Sequence, residues 1–95
     1  MNRKLLKKAY LKAESPRKAF YILKLEKIRD GFIVSKESGA DRKVLHKESW
    51  FRETLEEAEK LFRRILLQKT NPSRKSPRKY KIINLLDFSV NRYPP

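Results

Sequence analysis

The segment from Thr54 to Asn71 constrains the fold more than any other part of the chain. Leu55, Ala58, Leu61, Phe62, Ile65 and Leu66 recur at steps of three and four, which lines them up as one apolar stripe of a helix. Thr54-Leu55-Glu56-Glu57 has the capping-box pattern, in which the threonine oxygen takes an orphan amide and the glutamate reaches back. Glu56, Glu57 and Glu59 crowd the start and Arg63, Arg64 and Lys69 the end, so both termini complement the helix dipole. Asn71-Pro72 stops it, since Asn tolerates a left-handed cap position and Pro cannot continue a helix. The spacing therefore predicts a helix over about 55–69, with one stripe to bury. A chain of 95 residues has room for a single domain, 1–95, in which to bury it.

The rest of the pattern is mostly extended. Phe20 to Ile28 is aromatic and β-branched, with Leu23 and Leu25 facing opposite to Lys24 and Glu26. Asp30-Gly31 reads as a tight hairpin, Phe32 to Lys36 as its return strand, Glu37 to Asp41 as the next turn, and Val44 to Phe51 as a third strand. Tyr80 to Phe88, with Ile82, Ile83, Leu85 and Leu86, reads as a closing strand. The N-terminus has two readings. Leu5, Leu6, Ala9 and Tyr10 sit at helical spacing, and local propensity leans that way; the same residues permit a strand with Leu6 and Tyr10 on one face. The expected architecture is α+β: an antiparallel sheet of four to five strands packed against one long helix. Leu55, Ala58, Leu61, Phe62 and Ile65 are expected to bury against Leu23, Leu25, Val34 and Trp50.

Charge is distributed unevenly along this framework. The formal net charge is +14, from 25 basic and 11 acidic residues. Residues 1–20 hold seven basic residues against Glu14 alone, and residues 69–81 hold six with no acid. The 48 residues between them are nearly neutral, with 11 basic and 9 acidic. A surface built for solubility intersperses both signs. These two flanks do not, and a cationic excess of this size favours polyanionic partners, nucleic acid before anionic membrane. Basic tails on an ordinary domain are the plainer reading of the same pattern.

Catalytic chemistry finds no support. His46 is the one histidine and there is no cysteine, so thiolate zinc sites, disulfides and cysteine nucleophiles are excluded. Two glycines cannot build a phosphate-cradling loop, and no serine sits in a GxSxG or SxxK setting. Neither an enzyme nor a cofactor or metal is expected. No apolar run approaches the ~20 residues of a membrane span, and Leu5-Leu6 between basic pairs is no signal peptide. A cytoplasmic monomer is expected, one that associates with the nucleoid if its partner is DNA.

Taken in order, Phe20-Tyr21-Ile22-Leu23-Lys24-Leu25, Asp30-Gly31-Phe32-Ile33-Val34, Thr54-Leu55-Glu56-Glu57-Ala58 with Phe62, Lys69-Thr70-Asn71 and Arg78-Lys79-Tyr80 resemble the WGR domain. This module occurs in poly(ADP-ribose) polymerases and in small bacterial proteins, and the likeness covers about residues 20–83. It implies an antiparallel sheet packed by one long helix, a first strand over Lys8 to Lys12, and a DNA-binding role. The tripeptide for which the family is named is aligned here with Ser38-Gly39-Ala40. Serine and alanine can neither stack on a sugar nor grip a phosphate, so the family's recognition of DNA breaks does not carry over.

The expected function is a nucleic-acid-binding module, DNA favoured, that contacts the phosphate backbone with low sequence specificity. The expected site is the basic loop and its edges: Lys69, Arg74, Lys75, Arg78, Lys79 and Lys81, with Tyr80 as a stacking ring where it is not core. Trp50 and Phe51 read mainly as core. The alternative function is a scaffold domain that binds an acidic protein surface.

Overall fold

The computed structural model describes residues 3–14, 17–71 and 80–88. They form five strands and one helix: β1 (Lys4–Ala13), β2 (Phe20–Ile28), β3 (Gly31–Ala40), β4 (Lys43–Arg52), α1 (Leu55–Thr70) and β5 (Tyr80–Asp87). All neighbouring strands are antiparallel, in the order β4-β3-β2-β1-β5. The first four strands are a meander, and β4 and β5 are the opposite edges. The chain therefore crosses the whole sheet between them, and α1 lies on one face in that passage. No helix among the described residues is long and apolar enough to cross a membrane.

Strand alternation builds the core. Ala9, Leu11 and Ala13 of β1, Tyr21, Leu23 and Leu25 of β2, Val34 of β3 and Tyr80 of β5 all point to the helix side. Ala58, Leu61, Phe62 and Ile65 of α1 close over them, with Leu55 and Trp50 packed half-buried at the margin. This is the expected contact set, with Trp50 and Leu55 less deeply placed. Lys7 ties three elements together beside it. Its Nζ lies 3.1 Å from the Glu59 carboxylate of α1, 3.5 Å from Asp87 of β5 and 5.8 Å from the Phe62 ring centroid.

The N-terminal segment is a strand, contrary to its local helical propensity. In Lys8-Ala9-Tyr10-Leu11-Lys12-Ala13, every second residue is Ala or Leu and is buried. That period of two serves a sheet face, and burial in the sheet outweighs a preference worth fractions of a kcal/mol per residue. Leu6 and Tyr10 do not share a face, because a bulge between Leu5 and Lys7 shifts the parity. Leu6 reaches the core; Tyr10 points away from it.

Both hairpin turns differ from expectation. The first is centred on Arg29-Asp30, since Ile28 pairs with Gly31, and neither central residue has a positive φ. The second is Asp41-Arg42, with φ of 52° and 66°, the backbone of a type I′ turn. Glu37 to Ala40, read as turn, belong to β3. Gly39 is needed for close approach: a Cβ there would overlap the Lys43 carbonyl and lie 3.1 Å from the Phe20 ring. The helix starts as expected. Thr54 Oγ1 accepts from the Glu57 amide at 3.2 Å and donates to the Glu57 carboxylate at 3.1 Å. It ends differently, with Asn71 extended at φ −64° and ψ 119° instead of left-handed. Pro72 follows, and the residue before a proline is driven into extended backbone.

Candidate nucleic-acid interface

With α1 on one face only, every second residue of each strand faces away from the core. Cross-strand register sorts these residues into rows. Lys81, Lys12, Phe20 and Gly39 form one, Asn84, Tyr10, Ile22 and Glu37 the next, and Leu86, Lys8, Lys24 and Ser35 a third. Two shallow concavities lie along them and share Tyr10 and Ile22. One is lined by Lys12, Lys18, Phe20 and Arg42 as well, the other by Lys8, Asn84 and Leu86. The floor is apolar and aromatic and the rim is cationic.

Two connections meet at the Lys12 end. The Asp41 amide donates to the Arg17 carbonyl at 2.7 Å, and the Arg17 guanidinium lies 3.3 Å from the Asp41 carboxylate. This clasp brings Lys18, from the β1–β2 connection, beside Arg42 of the second hairpin turn. Both sit in the left-handed region, Lys18 at φ 53°. A residue with a Cβ pays ~1 kcal/mol or more for that conformation, and such strain gathers at functional sites.

The cations here repel one another. Lys12 is directly opposite Lys81, and Lys8 is opposite Lys24. Like charges across a strand pair destabilise a sheet. Lys24 has a counter-charge in Glu37 at 3.9 Å. Among the described residues, Lys8, Lys12, Lys18, Arg42 and Lys81 have no carboxylate within ion-pairing distance. Some cations elsewhere have partners, Arg3 with Glu26, Lys7 with Glu59 and Asp87, and Lys36 with Glu48. Lys4 and Lys27, opposite one another on β1 and β2, have no carboxylate within ion-pairing distance among the described residues.

The residues expected to bind divide three ways. Lys81 is exposed and joins the cationic rim. Tyr80 takes its core alternative: it is 7% exposed, with its ring edge-on to Tyr21 at 5.7 Å, so it offers no stacking surface. Lys69 is half-buried on the last turn of α1, its ammonium 5.1 Å from the Tyr21 ring centroid, where it covers the core edge. Arg74, Lys75, Arg78 and Lys79 lie outside the described residues. The rim residues Lys8, Lys12 and Lys18 and the ring of Tyr10 were not singled out from sequence. The available signal was Lys8-Tyr10-Lys12, three residues that share a face only when β1 is read as a strand. A second basic surface, Lys60, Arg63 and Arg64 around Leu67 on the outer side of α1, is a solvated helix face. Among the described residues no group of histidine or carboxylate side chains could hold a metal ion. Comparison with protein-family models, curated proteins and solved structures gives no match.

Proposed function

We propose that the chain is a nucleic-acid-binding module that grips phosphates and reads little or no sequence. The observation that carries this reading is the pairing of Lys12 with Lys81. The two basic flanks, far apart in sequence, converge at one end of the sheet, where unmatched like charges face each other across adjacent strands. A polyanion relieves that repulsion and a neutral ligand does not. Arg74, Lys75, Arg78 and Lys79, the remaining cations of the basic flank, precede Lys81 in the sequence and are part of the proposal on sequence grounds alone. DNA is preferred to RNA on the WGR resemblance alone, and the module acts in the cytoplasm, on the nucleoid, as a binding protein without catalysis.

Counterion release provides the test. On duplex DNA the slope of log affinity against log salt is about −0.9 per phosphate neutralised. Lys12→Ala with Lys81→Ala should make the slope shallower by about 1.8, and Arg74→Ala with Lys75→Ala by the same amount. Affinity should fall uniformly across sequences. Failure of both pairs to change affinity or slope would refute the reading. An acidic protein surface is the second reading, favoured by one observation: Ile82, Ile83, Leu85 and Leu86 on the edge strand β5 are all exposed, and apolar edges commonly mark protein contacts.

A further inference from the structure

The reading above leaves open which form of nucleic acid fits, and the open face of the sheet bears on that choice. We infer that this face is a platform for a single strand, with Tyr10 as the ring on which a base stacks and Ile22 as the floor beside it. The inference rests on the phosphate-binding reading and goes beyond it in three respects.

The first is the chemistry of the floor. Tyr10 and Ile22 are cross-strand partners, both half-buried, and both line the two adjoining concavities. A duplex presents phosphates and grooves to a sheet, and its base faces are already stacked. Only a single strand has π-faces to lay on a ring, and such contacts tolerate any base. Nothing on this face is shaped for a groove, because α1 lies on the other face, where four of its residues are core.

The second is the position of the charges. Lys12, Lys18 and Arg42 stand around one end of the floor and Lys8 near the other, without acidic partners among the described residues. The carboxylate on the floor, Glu37, is opposite Ile22 and faces Lys24. Phosphates therefore favour the rim and bases the floor. The same charge argues against a second copy as occupant: two chains of +14 face to face repel.

The third is the strained corner. Arg42 holds the second central position of a type I′ turn, where glycine is the preferred residue, and Lys18 is also left-handed. Two cations held at conformational cost beside the same concavity point to a use for their charge there.

The test compares a labelled twelve-nucleotide oligo(dT), the matching oligo(U), and a twelve-base-pair duplex at one low salt concentration. The proteins are the full chain, Tyr10→Phe, and Tyr10→Leu, which keeps apolar volume but removes the ring; thermal melts check that each folds. Tyr10→Leu should weaken both single strands about tenfold (~1.4 kcal/mol), within the range of one base–aromatic stack. It should change duplex binding less than twofold and leave the salt slope unaltered. Tyr10→Phe should bind single strands as the parent does. Equal weakening on single strand and duplex, or no weakening on either, overturns the platform while leaving phosphate binding in place. Absence of binding to all three probes overturns the phosphate reading and the platform together. Self-association of the parent chain that Tyr10→Leu abolishes and oligo(dT) does not compete with would assign the face to a second copy and also overturn the inference.

Discussion

The two faces of this sheet are built from alternate residues of the same strands, yet they follow opposite rules. On the helix side Leu11, Leu23, Leu25 and Val34 are fully buried, and Lys7 and Lys36 have carboxylates beside them. On the far side Lys12 faces Lys81 and Lys8 faces Lys24, two left-handed cations flank an aromatic floor, and the rim has no acidic partners among the described residues. The helix side has one such lysine pair, Lys4 opposite Lys27. The covered face buries its apolar side chains within the chain and pairs Lys7 and Lys36 with carboxylates. The open face leaves its charges to be satisfied by something else, and that difference is the argument for where function resides.

Neighbouring residues on opposite faces give the largest contrast. Leu23→Ala removes a fully buried side chain under α1 and should cost ~2–5 kcal/mol in chemical denaturation. Ile22→Ala, one residue away and half-buried on the open face, should cost less than about 1 kcal/mol and should weaken single-strand binding. Equal costs would mean that the open face is as much a core as the covered one. Gly39→Ala should cost ~1–3 kcal/mol, because the added Cβ has to displace the β4 backbone at Lys43 and crowd Phe20. A neutral result would remove the reason given for a glycine inside β3.

Smaller effects should change sign between the faces. Arg42→Gly relieves the left-handed strain and should stabilise the protein by ~0.5–1 kcal/mol, while weakening binding to any nucleic acid. A gain in stability without a loss of affinity would leave the strain without a function. Lys12→Ala with Lys81→Ala should alter stability by less than ~0.5 kcal/mol, in the stabilising direction, since it removes a like-charge pair. On the covered side Lys7→Ala should destabilise, because Glu59 and Asp87 lose the ammonium beside them.

Most of the covered face could be read from the sequence, and most of the open face could not. β2 and α1 carry unambiguous periods, and the set of residues between them follows from alternation and the three-four stripe. The N-terminal strand is ambiguous because Lys-Lys-Ala-Tyr-Leu-Lys-Ala satisfies a period of two and a period near four together. The helical reading puts Tyr10 on the opposite side from Lys8 and Lys12; the strand puts all three side by side. The second hairpin misled for a related reason. Glu37-Ser38-Gly39 has turn composition, but its glycine is a close-approach site inside β3, and the true turn uses Arg42 where glycine is preferred. Tyr80 and Lys69 were drawn to the basic loop by their neighbours in sequence, whereas Tyr21 takes both of them in space.

Methyl groups report on the two faces separately, so a ¹³C-methyl spectrum recorded while oligo(dT) is added tests the division most directly. The account predicts progressive, saturable shifts at Ile22, Ile33 and Leu86 on the open face, with Leu23, Leu25 and Ile65 unmoved. Shifts confined to Leu67 on the outer side of α1, among Lys60, Arg63 and Arg64, with the open-face methyls silent, would contradict it.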